Sequence, residues 1–329
     1  MRLRRRRFLQ LAGSAAALAA APHAVRAQAY PVRPVTMICP FPPGGATDAI
    51  SRIIQDALGR ALGQPIVVEN VGGAGGMIAA ARAARAPNDG HTIMIHQIAL
   101  AAGMTLYPNL TFDAQKDFVT IGLVNTAASM LVGRPTLPPN DLKELIVWLK
   151  EPGRAAQFAH AGVGSYSHLV GVLIAQELGI TATQVPYRGA GPATVDLMAG
   201  HVDLESLAAV AGIAQVNAGK LKAYAILGRK RFSGAPNLPT MGELGYSKLD
   251  LDFWHMLLAP AGTPRPIVDR LNAALRATLA DAKVQKTFAE NGMDLFPAEQ
   301  ETPEAASALL KDAIKLWGDV IRTNHITGD

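Results

Sequence analysis

The stretch Val35-Thr36-Met37-Ile38-Cys39-Pro40-Phe41-Pro42-Pro43-Gly44-Gly45-Ala46-Thr47-Asp48 reads as an apolar strand that breaks at a proline-glycine loop and re-enters as a helix. Such a loop turns backbone N–H groups outward where the helix starts. Those N–H groups have no intrahelical partner and sit at the positive end of the dipole, so a carboxylate or phosphate is stabilised there without Lys or Arg. Gly44 and Gly45 permit close approach of the backbone to an anion. The helix is specified by Ile50, Ile53, Ile54, Ala57, Leu58, Ala61 and Leu62 at i, i+3, i+4 spacing, with Arg52, Asp56 and Arg60 opposite and Gly63 as the stop. On these residues alone an ordinary strand-to-helix connection, capped by Thr47 or Asp48, is an equal reading.

The alternation continues outward from that loop. Strand Ile66 to Glu69 leads through Gly72-Gly73-Ala74-Gly75-Gly76 into an Ala-rich helix ending at Ala86, and the turn Pro87-Asn88-Asp89-Gly90 precedes a strand from Thr92 to Ile95. This predicts an α/β fold with largely parallel sheets. Two adjacent apolar runs, Phe118 to Val124 and Ser129 to Val132, break the rhythm and mark a crossing into a second α/β set.

That second set repeats the logic of the first. A helix from Asp141 to Lys150 and a strand from Gln157 to Ala161 lead to Gly162-Val163-Gly164-Ser165-Tyr166-Ser167-His168, which opens a helix ending at Gly179. Strand Thr183 to Tyr187 leads into Arg188-Gly189-Ala190-Gly191, with Pro192 expected at the first helical position. Strand Val202 to Glu205, a helix to Ala218 and strand Lys222 to Ile226 follow, and the chain returns near Leu249 to Leu258. The expected division is 28–125 with 251–329 as one domain and 126–250 as the other. The cleft between them would be lined by loops at the carboxyl ends of strands.

Residues 1–27 read as an export signal: Arg2 and Arg4 to Arg7, an apolar run from Leu11 to Ala21, and Val25-Arg26-Ala27 as the cleavage pattern. Arg5-Arg6-Arg7-Phe8-Leu9-Gln10 fits the twin-arginine pattern, and a basic start serves the general secretory route equally. Removing its six arginines and no acids takes the formal charge from +5 to −1, so the basic character belongs mostly to the leader. Nucleic acid is therefore not an expected partner, since the cluster Arg229-Lys230-Arg231 reads as solvated surface. Cys39, the single cysteine, has no partner for an internal disulfide.

Other chemistries find little support. Gly162-Val163-Gly164 lacks the third glycine of a dinucleotide fingerprint, and no Gly-x-x-x-x-Gly-Lys-Ser/Thr loop exists. The eight histidines form no His-Glu-x-x-His pair, and His91 and His96 fall on opposite faces of a strand, so neither a metal nor a cofactor is expected. A hydrolase would recruit Ser165 or Ser167 with His168, yet Gly164-Ser165-Tyr166-Ser167-His168 is not a Gly-x-Ser-x-Gly elbow. The expectation is a protein that is not an enzyme.

The order of segments resembles the receptors of tripartite tricarboxylate transporters, the Bug proteins. The resemblance covers nearly the whole mature chain. It is carried by Tyr30-Pro31, Pro40 to Asp48, Gly63-Gln64-Pro65-Ile66-Val67-Val68-Glu69-Asn70, Pro87-Asn88-Asp89-Gly90-His91-Thr92, Gly164 to Leu169, Pro186-Tyr187-Arg188-Gly189 and Leu258 to Pro264. It implies a two-domain periplasmic-binding-protein fold of the Venus-flytrap kind with two crossover strands. It further implies a small carboxylate ligand, delivery to an integral membrane permease, a periplasmic location and action as a monomer. A sensor subunit signalling to a membrane kinase would use the same cleft.

By position, the resemblance places the ligand against Phe41, Gly44, Gly45, Ala46, Thr47 and Asp48 on one side and Gly164, Ser165 and Ser167 on the other. Tyr166, His168 and Tyr187 are further candidates, and Arg188 is either a contact for a second carboxylate or a rim charge. His96-Gln97-Ile98-Ala99-Leu100 reads as a specificity loop, with Gln97 its candidate contact. Val202-Asp203-Leu204-Glu205-Ser206-Leu207-Ala208 departs from the family's usual Val-Asp-Leu-Met-Phe-Asp-Asn type. Leu207 stands where an acid suited to a ligand ammonium is common, which disfavours an amino-acid ligand.

Overall fold

The computed structural model of the chain describes residues 30–328 apart from 233 and 252. The expected export signal, residues 1–27, lies outside them. The elements run β1 (Val35–Cys39), α1 (Ala46–Leu62), β2 (Ile66–Asn70), α2 (Met77–Ala84), β3 (Thr92–Gln97), α3 (Ile98–Leu106) and β4 (Phe118–Ala127). There follow β5 (Ser129–Gly133), α4 (Leu142–Leu149), β6 (Ala156–His160), α5 (Tyr166–Leu178), β7 (Ala182–Pro186), α6 (Ala190–Ala199), β8 (Leu204–Ala208), α7 (Ala209–Asn217) and β9 (Lys222–Leu227). The chain closes with β10 (Phe253–Pro260), α8 (Arg265–Leu279), α9 (Ala282–Glu290), β11 (Met293–Asp294) and α10 (Pro303–Thr323).

Two sheets result, ordered β11-β4-β10-β3-β1-β2 and β7-β6-β8-β5-β9. The nucleus of each is parallel, β1 with β2 and β3 in the first and β6 with β7 and β8 in the second. One crossing strand in each sheet is antiparallel to that nucleus, so the sheets are mixed where largely parallel ones were expected: β10 runs against β3 and β4, and β5 against β8 and β9. A strand that links two sheets enters each in the direction set by the other sheet rather than by a helical crossover. Ala128 alone separates β4 from β5, and the chain returns through residues 228–252 into β10.

The first helix shows why these residues adopt these elements. Ile50, Ile54 and Leu58 are fully buried on one face of α1, each contributing ~1.5–3 kcal/mol of burial. Gly63 ends the helix in the left-handed conformation at φ 85°, its N–H returned to the Gly59 carbonyl. Arg60 on the opposite face pairs at 2.9 Å with Asp281 just before α9, tying the chain's two ends into one layer.

Three local expectations shift. The segment His96 to Leu100 is not a loop: it is the end of β3 running directly into α3, a helix buried almost all round and hence without an amphipathic period. β8 starts two residues later than Val202 and runs to Ala208. Pro192 is the third residue of α6, still within the turn whose N–H groups lack helical partners. Among the described residues no helix is long and apolar enough to cross a membrane.

Candidate functional site

At the start of α1 the N-cap residue, Gly45, is extended and offers no side-chain cap, so the first N–H groups depend on other partners. Asp48 is buried and engaged by its own loop and strand. Its carboxylate accepts from the Gly44 N–H at 3.1 Å and from Asn70 at 2.9 Å, and pairs with Arg52 at 2.9 Å. Burial pushes its pKa up, but these partners outweigh that and hold it below the usual carboxylate value. Asp48 thus braces the Pro-Gly loop from behind, and Gly44 is engaged in the same brace.

Thr47 points the other way. Its Oγ1 lies 3.1 Å from His255 Nε2, and His255 is fully buried, with its pKa lowered to about 3 by desolvation and then by His96. The imidazole is neutral, and its Nδ1 has no partner among the described residues. An unpaired lone pair costs less than an unpaired N–H, so we assign the proton to Nε2, which donates to Thr47 and leaves the Thr47 O–H free.

The start of α5 supplies a second set of hydroxyls. Ser165 Oγ caps the helix by accepting the His168 N–H at 3.3 Å, and Ser167 Oγ accepts the Ala161 N–H at 2.9 Å. The two oxygens lie 3.2 Å apart, so one proton of the pair is used between them and the other remains to donate elsewhere. Tyr166 bonds Ser129 Oγ through its hydroxyl at 2.7 Å and lays its ring on Phe253 at 4.5 Å. His168 stacks on His160 at 4.4 Å, and its Nδ1 accepts from the Gly164 N–H at 3.1 Å. Burial lowers the His168 pKa to about 4, and neither serine hydroxyl bonds its ring among the described residues, so no nucleophile-base pair forms there.

These groups meet in one cavity of ≈ 50 Å³ between the sheets, reached by Phe41, Gly45, Ala46, Thr47 and Gln97 from one side and Ala161, Ser165, Tyr166, Ser167 and Leu207 from the other. Ala190, Ser206, Ala208 and Phe253 complete its wall. Among the described residues no Lys or Arg lines it. Instead, five helices begin here: α1 at Gly45, α3 at Gln97, α5 at Ser165, α6 at Gly189 and α7 at Ala208. Gln97 and Ser165 cap their own helices, whereas Gly45, Gly189 and Ala208 carry no cap. Gln97 uses its Oε1 for the Ala99 N–H, which leaves its amide N–H₂ as the end available to the cavity.

Of the residues singled out from sequence, the cavity gathers Phe41, Gly45, Ala46, Thr47, Gln97, Ser165, Tyr166, Ser167 and Leu207. Gly44, Asp48, Gly164 and His168 are not among its lining residues, while Tyr187 and Arg188 line an adjoining space of ≈ 260 Å³ that shares Phe41 and Ala161 with it. Arg188 is exposed there and has no ion-pair partner among the described residues. Sequence reading missed Ala161, Ala190, Ser206, Ala208 and Phe253. A helix that begins at alanine without a Ser, Thr, Asp or Asn cap carries no start signal.

The two sides touch around the cavity. Tyr107 donates to the Val163 carbonyl at 2.7 Å across the divide. Elsewhere the seam is glycine: a methyl on Gly191 would lie 3.0 Å from the Pro43 carbonyl, and one on Gly75 would lie 2.6 Å from that of Val163. These are main chains in near contact, as in a closed cleft.

Comparison with known proteins agrees with this geometry. The sequence profile of the tripartite tricarboxylate transporter family receptor matches residues 50–326. Protein BugT of Bordetella pertussis is 36% identical over 321 residues, 96% of this chain and 97% of its own. The structure of the periplasmic binding protein BugD superposes with a TM-score of 0.87 at 36% identity, covering 91% of this chain and 99% of BugD. MatC from Rhodopseudomonas palustris, solved with bound malate, gives a TM-score of 0.84 at 36% identity over 89% of this chain and 100% of MatC. The fold is that of the periplasmic binding proteins.

Proposed function

The chain belongs to the tripartite tricarboxylate transporter receptor family, and from that premise we propose that it is an exported solute receptor. It closes on a small carboxylate between its two sheets and hands it to a membrane permease of the tripartite type. Residues 28–125 with 251–329 form one closing lobe and residues 126–250 the other, with the periplasm as the working compartment.

The observation that carries this reading is the meeting of five helix N-termini, drawn from both sheets, on one pocket with free hydroxyls and no cationic side chain. Such a pocket offers hydrogen-bond donors to an anion and little to a cation. One carboxylate is held by the uncapped start of α1 and Thr47 from the first lobe and by the Ser165–Ser167 pair from the second. Arg188, at the adjoining space, is placed for a second carboxylate of a longer solute. Two to four charge-assisted bonds at ~1.5–3 kcal/mol each, less the cost of ordering, fit an affinity of about −8 kcal/mol, in the micromolar range.

A thermal-shift screen across mono-, di- and tricarboxylates tests the reading, because a ligand that binds only the folded state raises the melting temperature. Stabilisation by one or a few carboxylates at sub-millimolar concentration, followed by their recovery chemically intact, is expected. Stabilisation by amines or neutral sugars alone, or turnover of an ester, would overturn it. Transport is read separately, as uptake by vesicles holding the permease subunits with and without the liganded receptor.

A further inference from the structure

One polar atom in the pocket wall has no structural use. Ser206 is 3% exposed, sits in β8 opposite Leu131, and its Oγ has no hydrogen-bond partner among the described residues. The other serine hydroxyls of the pocket cap a helix or accept a backbone N–H, and Thr47 is held by His255. A buried hydroxyl left unpaired is unfavourable, and alanine would fill the same strand position without that cost. The wall that holds Ser206 also includes the apolar Leu207, Ala208 and Phe253.

Resting on the receptor reading above, we propose that Ser206 is the selectivity residue of the pocket. It pairs with a neutral oxygen on the body of the solute, so the solute is an oxygen-substituted carboxylate, a hydroxy or oxo acid, rather than its plain hydrocarbon counterpart. A carboxylate is acceptor-only with about four lone-pair sites, and needs several donors around it. Ser206 supplies a single unpartnered hydroxyl, which suits one hydroxyl or carbonyl oxygen instead. Being able both to donate and to accept, it serves either. Such a site discriminates because the unsubstituted analogue leaves the buried hydroxyl unpaired.

The test is calorimetry on the full mature chain with three pairs of acids that differ by one hydroxyl: malate and succinate, lactate and propionate, citrate and tricarballylate. Each is measured on the native protein and on Ser206→Ala, whose melting temperature without ligand checks that the fold is kept. The expected result is that the native protein binds the hydroxy member of at least one pair about five- to tenfold more tightly, and that Ser206→Ala erases this ratio by weakening the hydroxy acid alone. A native protein that binds both members of every bound pair equally, or a ratio that survives in Ser206→Ala, overturns the assignment while leaving the carboxylate receptor standing. If no acid of any pair binds the native protein, the hydroxy-acid assignment falls, and the receptor reading is judged separately by the wider carboxylate screen.

Discussion

Replacing Ser165 and Ser167 singly and together should give a result that simple counting of contacts does not. Between them the two hydroxyls own two protons; one lies in their mutual 3.2 Å bond and one is left for a ligand. When either hydroxyl is removed, the survivor's proton is released from the mutual bond and takes over the donation. Ser165→Ala and Ser167→Ala should therefore each change carboxylate affinity by less than about threefold, while the double variant loses one charge-assisted bond of ~1.5–3 kcal/mol, about ten- to 150-fold. Stability should behave the opposite way. Ser165→Ala loses the cap on the His168 N–H, about 1 kcal/mol, and Ser167→Ala strands the Ala161 N–H at a similar cost, so each single variant should melt lower by about 2–4 °C. Calorimetric titration and thermal melts of the four proteins close the cycle. Full loss of affinity in each single variant would refute the shared-proton reasoning, and native affinity in the double variant would remove both serines from the site.

Three further outcomes are expected. Gly191→Ala should raise the melting temperature of the free protein slightly, since alanine is the better helix residue by ~0.5–1 kcal/mol, yet weaken binding because its methyl meets the Pro43 carbonyl at 3.0 Å only when the cleft is shut; unchanged affinity would mean that the closed seam is not the binding state. Thr47→Val, nearly isosteric, should lower carboxylate affinity about tenfold and also destabilise the fold by leaving the His255 N–H unpaired, whereas Thr47→Ser should keep both properties in calorimetry and melts. The pH profile of stability should have two limbs. Burial lowers the pKa of His96 and His168 to about 4 and of His160 and His255 to about 3, so their contribution is complete above the unfolded histidine value and lost as pH falls toward 4. Burial raises Glu205 to about 8, so its contribution is complete below the unfolded carboxylate value and lost as pH rises through 8; Glu205→Gln should abolish the alkaline limb alone, and an unchanged profile in that variant would show that another group causes it.

What could be read in the sequence follows from which forces leave local marks. The Pro-Gly loop, the apolar face of α1 and the Gly63 stop are decided by near neighbours, and the observed helix matches that reading, Ala46 to Leu62. The Ser165 cap was legible for the same reason. α3 leaves no such mark, because a helix buried almost all round has no polar face to set the period. The antiparallel entry of β5 and β10 was hidden because direction within a sheet is fixed by pairing with residues distant in the chain, such as Ser129 with Ala208. Ser206 and Phe253 reach the cavity from strands whose register, and so whose facing, only the assembled sheet determines. Arg188 was open to two readings, a second-carboxylate contact or a rim charge, because charge alone does not say which chamber a side chain lines; it lines the adjoining space rather than the one that holds the hydroxyls.

The absence of a cation from the pocket wall bears on how a receptor of this kind releases what it binds. A buried arginine would attract a carboxylate whether the cleft were open or shut, since its charge belongs to one lobe. Helix N-termini act over about one turn, and here they come from both lobes: α1 and α3 from the first, α5, α6 and α7 from the second. In the receptor proposed above, an open cleft would present the solute with two or three of the five helix starts, and only closure would assemble the rest. A ligand shifts an equilibrium by no more than its difference in affinity for the two states, so dividing the donors between lobes turns much of the binding energy into that difference. On that reading, prying the lobes apart by a few ångströms would remove two or three of the five helix starts at once, and no Lys or Arg among the described wall residues would remain to retain the anion. A permease that prefers the open form would thus receive the solute without having to compete against a salt bridge.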